Sequence, residues 1–177
     1  MLGPVIQGEK IRLEPSRPEF LPEYIRWFSD MEVTRYLRTV FPMTLKQEEE
    51  WFDETARDRN KVHWAIVVDG RPIGTSGLHV IDWVNRSAMT GTAIGVKSEW
   101  GKGYASEAVK LRTRFAFDEL NLERLETESF AVNKGMHKAL ARSGYRQIGL
   151  RTRAMYRHGE WFDMCLFELL RSDCQES

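Results

Sequence analysis

Apolar residues recur with two different periods in the first part of the chain. Alternation of apolar and polar residues over 10–14 predicts a strand. Directly after it, apolar side chains follow a helical period and predict a helix over 16–28, opened by a capping box of Ser16 and Glu19. Because a stripe so rich in aromatic side chains is typical of a helix that faces the core, we expect it to be buried.

A second helix is predicted by the polar pattern that follows. Thr44 and Gln47 form another capping box, acidic residues occupy the first turn and basic residues the last, and the helix ends near Asn60. Residues 35–42 connect the two helices. We expect this connection to lie over a cleft.

The middle of the chain shows the alternation that is typical of strands. Residues 64–68 and 71–81 flank Asp69-Gly70, which is a strong hairpin signal. A polar connection then leads to a third strand over 88–96. The remaining pattern predicts a helix over 104–118, a strand over 124–130, a helix over 133–142, and strands that begin near residues 145, 155 and 163.

Length and composition narrow the class of protein. We interpret residues 1–177 as a single domain with a short polar tail, because 42% hydrophobic and 29% charged residues are ordinary for one buried core. The formal net charge is zero, which argues against a nucleic-acid partner. The sequence has neither a long apolar run nor a signal-peptide layout, so we expect no membrane span and a cytoplasmic location. Cys165 and Cys174 are expected to be free thiols, and no metal site is expected.

A glycine loop lies where the third strand of this region gives way to a helix. Gly101 and Gly103 lack Cβ atoms, so an anion can approach the N–H groups at the positive end of the helix, and Lys102 adds a positive charge. The P-loop pattern fails because Tyr104 follows Gly103. The dinucleotide pattern fails because Ser106 occupies the position of its third glycine. A glycine-rich turn without any ligand is the alternative.

The stretch Trp100-Gly101-Lys102-Gly103-Tyr104-Ala105 resembles motif A of the GNAT acetyltransferase superfamily, whose loop holds the pyrophosphate of acetyl-coenzyme A. A Trp in place of the usual Gln or Arg resembles the branch of ribosomal-protein N-terminal acetyltransferases. The resemblance covers nearly the whole chain, since four more motifs of that branch follow in order: Asp82 to Ser87, Glu107-Ala108, Asn133 with Ser143-Gly144-Tyr145, and Gly159 with Asp163.

The resemblance implies the α+β fold of GNAT acyl-CoA N-acyltransferases, with a mixed central sheet of about seven strands and helices on both faces. It also implies acetyl-CoA as a co-substrate, held by the loop residues Trp100 to Ala105. By the same resemblance, Ile94 and Val96 pair with the pantetheine arm, and Asn133 bonds to the cofactor near the end of that arm. Capping of the following helix is the alternative role for Asn133.

Acetyl transfer to an amine needs a neutral nitrogen, a polarised thioester carbonyl and a proton source for the leaving thiolate. The resemblance implies that a backbone N–H polarises the carbonyl, where the strand ending at Ile94 separates from its neighbour. Side-chain catalysts are missing from the positions usual in the family. Met136 and Leu140 stand at the positions of the acid, and Met89 stands at that of the base.

Three weaker catalytic candidates remain. His79 and Asp82 lie on or just after the central hairpin, and His137 lies on the helix that follows Asn133. A turn-forming role is an equal alternative for Asp82, and a surface position is the alternative for His137. A water chain is a further option, because an α-amine has a pKa of about 7.7 to 8.0 and needs little help.

These features favour an enzyme that moves acetyl to a peptide or protein N-terminus or to a small amine, acting as a monomer or homodimer. The alternative is a non-catalytic acyl-CoA-binding module. Polyamines and aminoglycosides are alternative substrates, but polycations need converging carboxylates. We expect Glu48, Glu49 and Glu50 to stay in the first turn of their helix and away from the cleft. We expect an amphipathic slot for the peptide N-terminus or small amine, lined by some members of a set of six aromatic residues. The set is Trp27, Phe28, Tyr36, Phe41, Trp83 and Trp161.

Overall fold

Eight strands form one mixed sheet in the computed structural model, which describes residues 1–174. The strands are β1 (Ile6–Gln7), β2 (Arg12–Pro15), β3 (Val62–Val68), β4 (Arg71–Asp82), β5 (Ser87–Ile94), β6 (Arg124–Phe130), β7 (Arg146–Arg157) and β8 (Glu160–Leu170). They lie in the order β1-β2-β3-β4-β5-β6-β8-β7. Every neighbouring pair is antiparallel except β5 with β6, which is parallel.

Helices cover both faces of this sheet. They are α1 (Leu21–Phe28), α2 (Met31–Thr34), α3 (Leu45–Arg57), α4 (Tyr104–Asp118), α5 (Lys134–Arg142) and α6 (Arg171–Cys174). The pair α1 and α3 packs on one face, and the pair α4 and α5 packs on the other.

Strand β3 is buried on both faces, which explains its nearly continuous apolar sequence. Alternation along a strand sends Trp64 and Ile66 into the core cluster below α4, while Ala65 and Val67 contact the aromatic stripe of α1. That stripe is buried as predicted, and Trp27 within it is 3% exposed. The sheet therefore has a core on each face.

Most of the predicted elements are confirmed, including the α+β class and the helices on both faces. The hairpin turns at Asp69-Gly70, where both residues have positive φ. The capping box of Thr44 and Gln47 opens α3, and α5 ends before Gly144, which has the left-handed conformation of a helix stop.

Other expectations need correction. The capping box of Ser16 and Glu19 is wrong: Arg17 precedes a short 3-10 turn without any side-chain cap, and the Ser16 hydroxyl lies inside the protein. The sheet has eight strands because the two-residue β1 extends its edge. The extended segments predicted near 145 and 155 form one strand, β7, with two irregularities in register. The expected polar tail begins as α6, and residues 175–177 lie outside the described part.

Strands β5 and β6 pair over three residues only, Ser87–Met89 with Arg124–Glu126. Beyond Met89, β5 stays paired with β4 as far as Ile94, while β6 continues alongside β8. The two halves of the sheet therefore separate, and a gap opens between β5 and β6 on the side of the glycine loop.

Gly95, directly after β5, lies against the indole ring of Trp27. A Cβ atom at this position would lie 2.1 Å from Cδ2 of Trp27, much closer than atoms can approach. Glycine is therefore required here by packing, and the contact fixes the end of β5 against α1.

Substitution Gly95→Ala should lower the free energy of unfolding by about 1–3 kcal/mol, because overpacking forces the buried indole to move. Chemical denaturation of the two proteins measures the difference. Gly135→Ala in α5 is the matched control, since the new Cβ would have only Asn133 Oδ1 nearby at 3.6 Å, and it should leave stability unchanged or raise it by up to about 1 kcal/mol. Equal stability of the Gly95→Ala protein and the wild type would contradict a rigid contact.

Candidate active site

A cleft of about 1160 Å³ runs through the gap between β5 and β6 and reaches both faces of the sheet. On the face of α4 and α5 it is lined by the glycine loop and by Asn133. On the face of α1 and α3 it is lined by the connection over 35–39, as expected, and by α3. Of the aromatic residues expected in a slot, Phe28 and Tyr36 line the cleft, whereas these three are largely exposed and do not: Phe41, Trp83 and Trp161.

The glycine loop has the geometry of an anion site. Gly101 and Gly103 have positive φ angles of 78° and 90°, and α4 begins directly after Gly103. A Cβ atom at either position would meet no heavy atom within 4 Å, so the space outside the loop is open. The N–H groups of the first turn of α4 carry the positive end of the helix dipole to this open space.

The side chains of Trp100 and Lys102, in the same loop, form hydrogen bonds or ion pairs within the protein. The indole N–H of Trp100 donates to the carbonyl oxygen of Ile94 at 2.9 Å, which braces the loop against the end of β5. Lys102 forms an ion pair with Glu99 at 2.8 Å and does not line the cleft. Five of the six predicted loop residues do line it: Trp100, Gly101, Gly103, Tyr104 and Ala105.

The backbone of β5 presents hydrogen-bonding groups to the gap. The N–H of Gly95 donates to the carbonyl of Ile73 at 2.8 Å, so the odd-numbered residues of β5 bond to β4. The N–H and C=O groups of Thr92 and Ile94 therefore point the other way, toward the space that β6 has left. Val96 differs, because its N–H already donates to Ile73 at 3.2 Å and it does not line the cleft.

Asn133 is the N-cap of α5, since its side-chain oxygen accepts a hydrogen bond from the Met136 N–H at 3.1 Å. The residue also lines the cleft, so the capping role does not remove it from the site. Met136 and Leu140 line the cleft as well. The positions of a family acid are therefore apolar in the structure too.

Two of the three catalytic candidates lie away from the cleft lining. The Asp82 carboxylate accepts hydrogen bonds from the N–H groups of Asn85 and Val84, which lower its pKa and give it the turn-forming role. The His137 ring is half-buried against Phe167, with 5.1 Å between ring centroids, instead of lying on the surface. Burial lowers the pKa of His137.

His79 is the candidate that lines the cleft. Burial, with a smaller contribution from the charge of Arg112, lowers its pKa to about 4. Ser16 Oγ lies 2.9 Å from Nδ1 of the neighbouring His63 and 3.0 Å from the Tyr24 hydroxyl. Burial lowers the pKa of His63 to about 3 and raises the pKa of Tyr24 to about 12. The side chains of Tyr24, His63 and His79, which line the cleft, are therefore neutral at pH 7.

Sequence reasoning missed Glu48, which the structure places in the cleft. Glu48 is 3% exposed, and within residues 1–174 no group donates a hydrogen bond to its carboxylate. Burial raises its pKa. The expectation that this acidic run avoids the cleft is therefore wrong for Glu48 and holds for Glu49 and Glu50, which are exposed. The sequence did contain a signal for this position of Glu48. Glu48 has helical spacing to Trp51 and Thr55, and all three lie on the inward face of α3.

The other three carboxylates that line the cleft are each held by basic side chains: Glu32 by Lys97, Glu99 by Lys102, and Glu128 by both Arg38 and Arg151. Within the described part of the chain, Glu48 is therefore the one cleft carboxylate without a basic partner.

A split mixed sheet with a glycine loop and helix start beside the split defines the class of acyl-CoA N-acyltransferases. The sequence matches the model of the acetyltransferase (GNAT) domain over residues 10–146, so the chain belongs to the GNAT acetyltransferase family. It is an acetyl-CoA-dependent acyltransferase, and the alternative of a non-catalytic binding module is not supported.

Individual relatives match the chain over nearly its whole length. It is 28% identical over 171 residues to the "Uncharacterized N-acetyltransferase p20" of Bacillus licheniformis, covering 93% of this chain and 95% of the relative. It is 28% identical over 173 residues to the "Putative ribosomal N-acetyltransferase YdaF" of Bacillus subtilis (strain 168), covering 91% and 90%. Spermidine N-acetyltransferase from Vibrio cholerae, solved with CoA and spermine, superposes with a TM-score of 0.88 over 94% of this chain and 98% of that one. At 17% identity this likeness shows the fold alone.

Residues 1–174 contain no group of three or more His, Cys, Asp or Glu side chains arranged to hold a metal ion. In the same range, no helix is long and apolar enough to cross a membrane. Cys165 is buried, Cys174 is exposed, and both are free thiols as expected.

The buried His63 and the half-buried His79, both neutral at pH 7, predict an acid-sensitive fold. Because the folded-state pKa values of His63 and His79 lie below the usual 6.5, the unfolded chain takes up protons first as the pH falls. Their contribution to stability is complete above about pH 6.5 and is lost below it, at up to about 1.4 kcal/mol per pH unit for each histidine. For His79 this loss extends to about pH 4.

Urea unfolding of the wild type at pH 7 and pH 5 measures this loss. The His79→Gln protein should lose less stability between these pH values, and His158→Gln, at an exposed turn, should behave as the wild type. An identical loss in wild type and His79→Gln would show that His79 is not held neutral.

Proposed function

We propose that this acetyltransferase transfers the acetyl group of acetyl-CoA to one primary amine, on a peptide or protein N-terminus or on a small monoamine. The observation that carries the proposal is the continuous cleft, which joins the open glycine loop on one face of the sheet to the unpaired Glu48 carboxylate on the other.

The half of the cleft beside α4 and α5 fits coenzyme A, which supplies the acetyl group as a thioester. The N–H groups around Gly101 and Gly103 suit its pyrophosphate, because the space outside them is open. Lys138 and Arg142 also line this half and, within the described residues, form no ion pair. The gap-facing N–H and C=O groups of β5, together with Asn133, suit the amide groups of the pantetheine arm.

The other half of the cleft fits a single amine with an apolar neighbour. Its walls are mostly apolar, and among the described residues Glu48 is its one carboxylate without a basic partner. These residues form the apolar walls: Phe28, Val33, Tyr36, Leu37, Met43 and Trp51. A buried carboxylate can pair with one ammonium group, and its raised pKa suits it to take the proton that the amine must lose before attack.

The remaining chemistry needs few side chains. The neutral nitrogen attacks the acetyl carbon, a C–N bond forms, the C–S bond breaks, and the thiolate leaves with the electron pair. Because Met136 and Leu140 have no acidic proton, water relays to the thiolate the proton that the attacking nitrogen loses as the amide forms. Holding both reactants in one cleft provides the main acceleration.

The relatives agree with this choice of acceptor to different degrees. YdaF carries the name of a ribosomal N-acetyltransferase, which favours a peptide N-terminus and the ribosomal-protein branch. The spermidine enzyme shares the fold, but polyamines and aminoglycosides need several free carboxylates, and three of the four in this cleft are paired with basic side chains. Cytoplasmic location and a monomeric or homodimeric state stay predictions from the sequence.

Coenzyme A should raise the melting temperature of the wild type, because a ligand at a hundred times its Kd adds about 2.7 kcal/mol of stability. Gly103→Val should abolish this rise, since its side chain fills the anion space and strains a φ of 90°. Gly159→Val is the matched control, with a φ of 83° and open surroundings at the β7–β8 turn. If coenzyme A raised the melting temperature of folded Gly103→Val protein as much as that of the wild type, the glycine loop would not be part of the binding site.

Glu48→Gln should lower kcat/KM for a short peptide roughly tenfold to a hundredfold, because a hydrogen bond to a charged group contributes about 1.5–3 kcal/mol. Steady-state kinetics with saturating acetyl-CoA measures this change. Glu49→Gln, the exposed neighbour, should match the wild type.

Spermidine should be a poorer substrate than the peptide or a monoamine at equal concentration and low salt, where electrostatic attraction is strongest. Faster turnover of spermidine would contradict a site for one ammonium group.

A further inference from the structure

Arg112 is a buried cation that lines the cleft and has no acidic partner within residues 1–174. It lies in the third turn of α4 and is 1% exposed. Its Nη1 atom donates to the Gly91 carbonyl oxygen at 2.8 Å, to Thr92 Oγ1 at 2.7 Å and to Ser76 Oγ at 3.2 Å. All three acceptors are neutral groups on β4 and β5.

A structural bridge between these strands does not require a charge. The hydroxyl groups of Ser76 and Thr92 already lie 3.1 Å apart, within hydrogen-bond distance of each other. Burying a cation without a counter-charge is costly, and Nε of Arg112 is buried without a hydrogen-bond partner among the described residues. The positive charge therefore calls for a functional explanation.

The Gly91 carbonyl belongs to the same peptide unit as the Thr92 N–H. In a trans peptide these two groups point in opposite directions. The Gly91 carbonyl faces β4 and Arg112, so the Thr92 N–H faces the gap, beyond Met89, where pairing with β6 ends. The charge of Arg112 thus lies at one end of a peptide dipole whose other end opens into the cleft.

We infer that Arg112 is a positioning residue that strengthens the Thr92 N–H as a hydrogen-bond donor to the thioester carbonyl oxygen during acetyl transfer. A cation bonded to the peptide oxygen polarises the peptide and makes its N–H a stronger donor. The same bond fixes the direction of the N–H before negative charge develops on the thioester oxygen. This inference rests on the proposed function, because it requires acetyl-CoA in the gap.

The positive charge of Arg112 is also felt elsewhere in the cleft. After burial, it is the largest contribution to the lowered pKa of His79, which lines the same cleft. Arg112 therefore lies close enough to this side of the cleft for its charge to oppose protonation of His79.

The test compares Arg112→Met with the charge-retaining Arg112→Lys. Arg114→Met is the matched control, because Arg114 is exposed on the same helix. Calorimetry measures acetyl-CoA affinity, and steady-state kinetics gives kcat. Difference infrared spectroscopy of bound acetyl-CoA labelled with ¹³C at the thioester carbonyl, without an amine, reports directly on carbonyl polarisation.

In the wild type and Arg114→Met, the bound carbonyl band should shift to lower frequency than in free acetyl-CoA. In Arg112→Met the shift should become smaller without vanishing, because the Thr92 N–H stays as a weaker donor. Acetyl-CoA affinity should be preserved, and kcat should fall roughly tenfold, less than the 10²–10³-fold that loss of a whole oxyanion donor costs. Arg112→Lys should restore part of the shift and part of kcat.

An unchanged carbonyl frequency in folded Arg112→Met with acetyl-CoA bound would overturn the inference. Where Arg112→Met fails to fold, Arg112→Gln decides in the same way, because its amide can still donate to Gly91 but carries no charge. Absence of acetyl-CoA binding by the wild type is a different result, and it would overturn the proposed function itself.

Discussion

The separation of β5 from β6 after Met89 is the constraint on which the rest of the site depends. Strands that part leave ladder groups without strand partners, and buried backbone groups need partners. The hydroxyl of Thr127 donates a hydrogen bond to the Thr90 carbonyl oxygen at 2.9 Å, and the indole N–H of Trp100 donates one to the Ile94 carbonyl oxygen at 2.9 Å. The N–H groups between these two points still face the cleft, so an extended ligand rich in amides can take the place of a strand there.

The gap also joins two faces of the sheet that differ in charge. The face of α4 and α5 presents the positive end of a helix dipole, whereas the face of α3 presents the lone carboxylate of Glu48. This difference in charge would draw the proposed anionic acyl donor and cationic amine to opposite ends of one cleft. Arg112 and Glu48 lack partners of opposite charge within residues 1–174, which is costly in a core but useful where ligands complete the pairing.

Features that depend on neighbouring residues could be predicted from the sequence. The Asp69-Gly70 hairpin, the capping box of Thr44 and Gln47, and the open loop at Gly101 and Gly103 all follow from local conformational preferences. The expectation for Ser16 failed for the opposite reason. Its hydroxyl is paired with side chains distant in sequence, which local capping rules do not consider.

By itself, the sequence determined most of the strands and helices and the position of the glycine loop, because apolar periodicity and glycine conformation are properties of short segments. The helices on both faces of the sheet were implied by the family resemblance. Only the tertiary structure decided which charges meet the cleft. Glu48 is buried without a basic partner among the described residues, and Lys102 forms an ion pair with Glu99. Arg112 is buried and donates a hydrogen bond to the backbone of β5. Burial and ion pairing depend on which distant segments come together, so the same residue type is a surface charge in one place and part of the site in another.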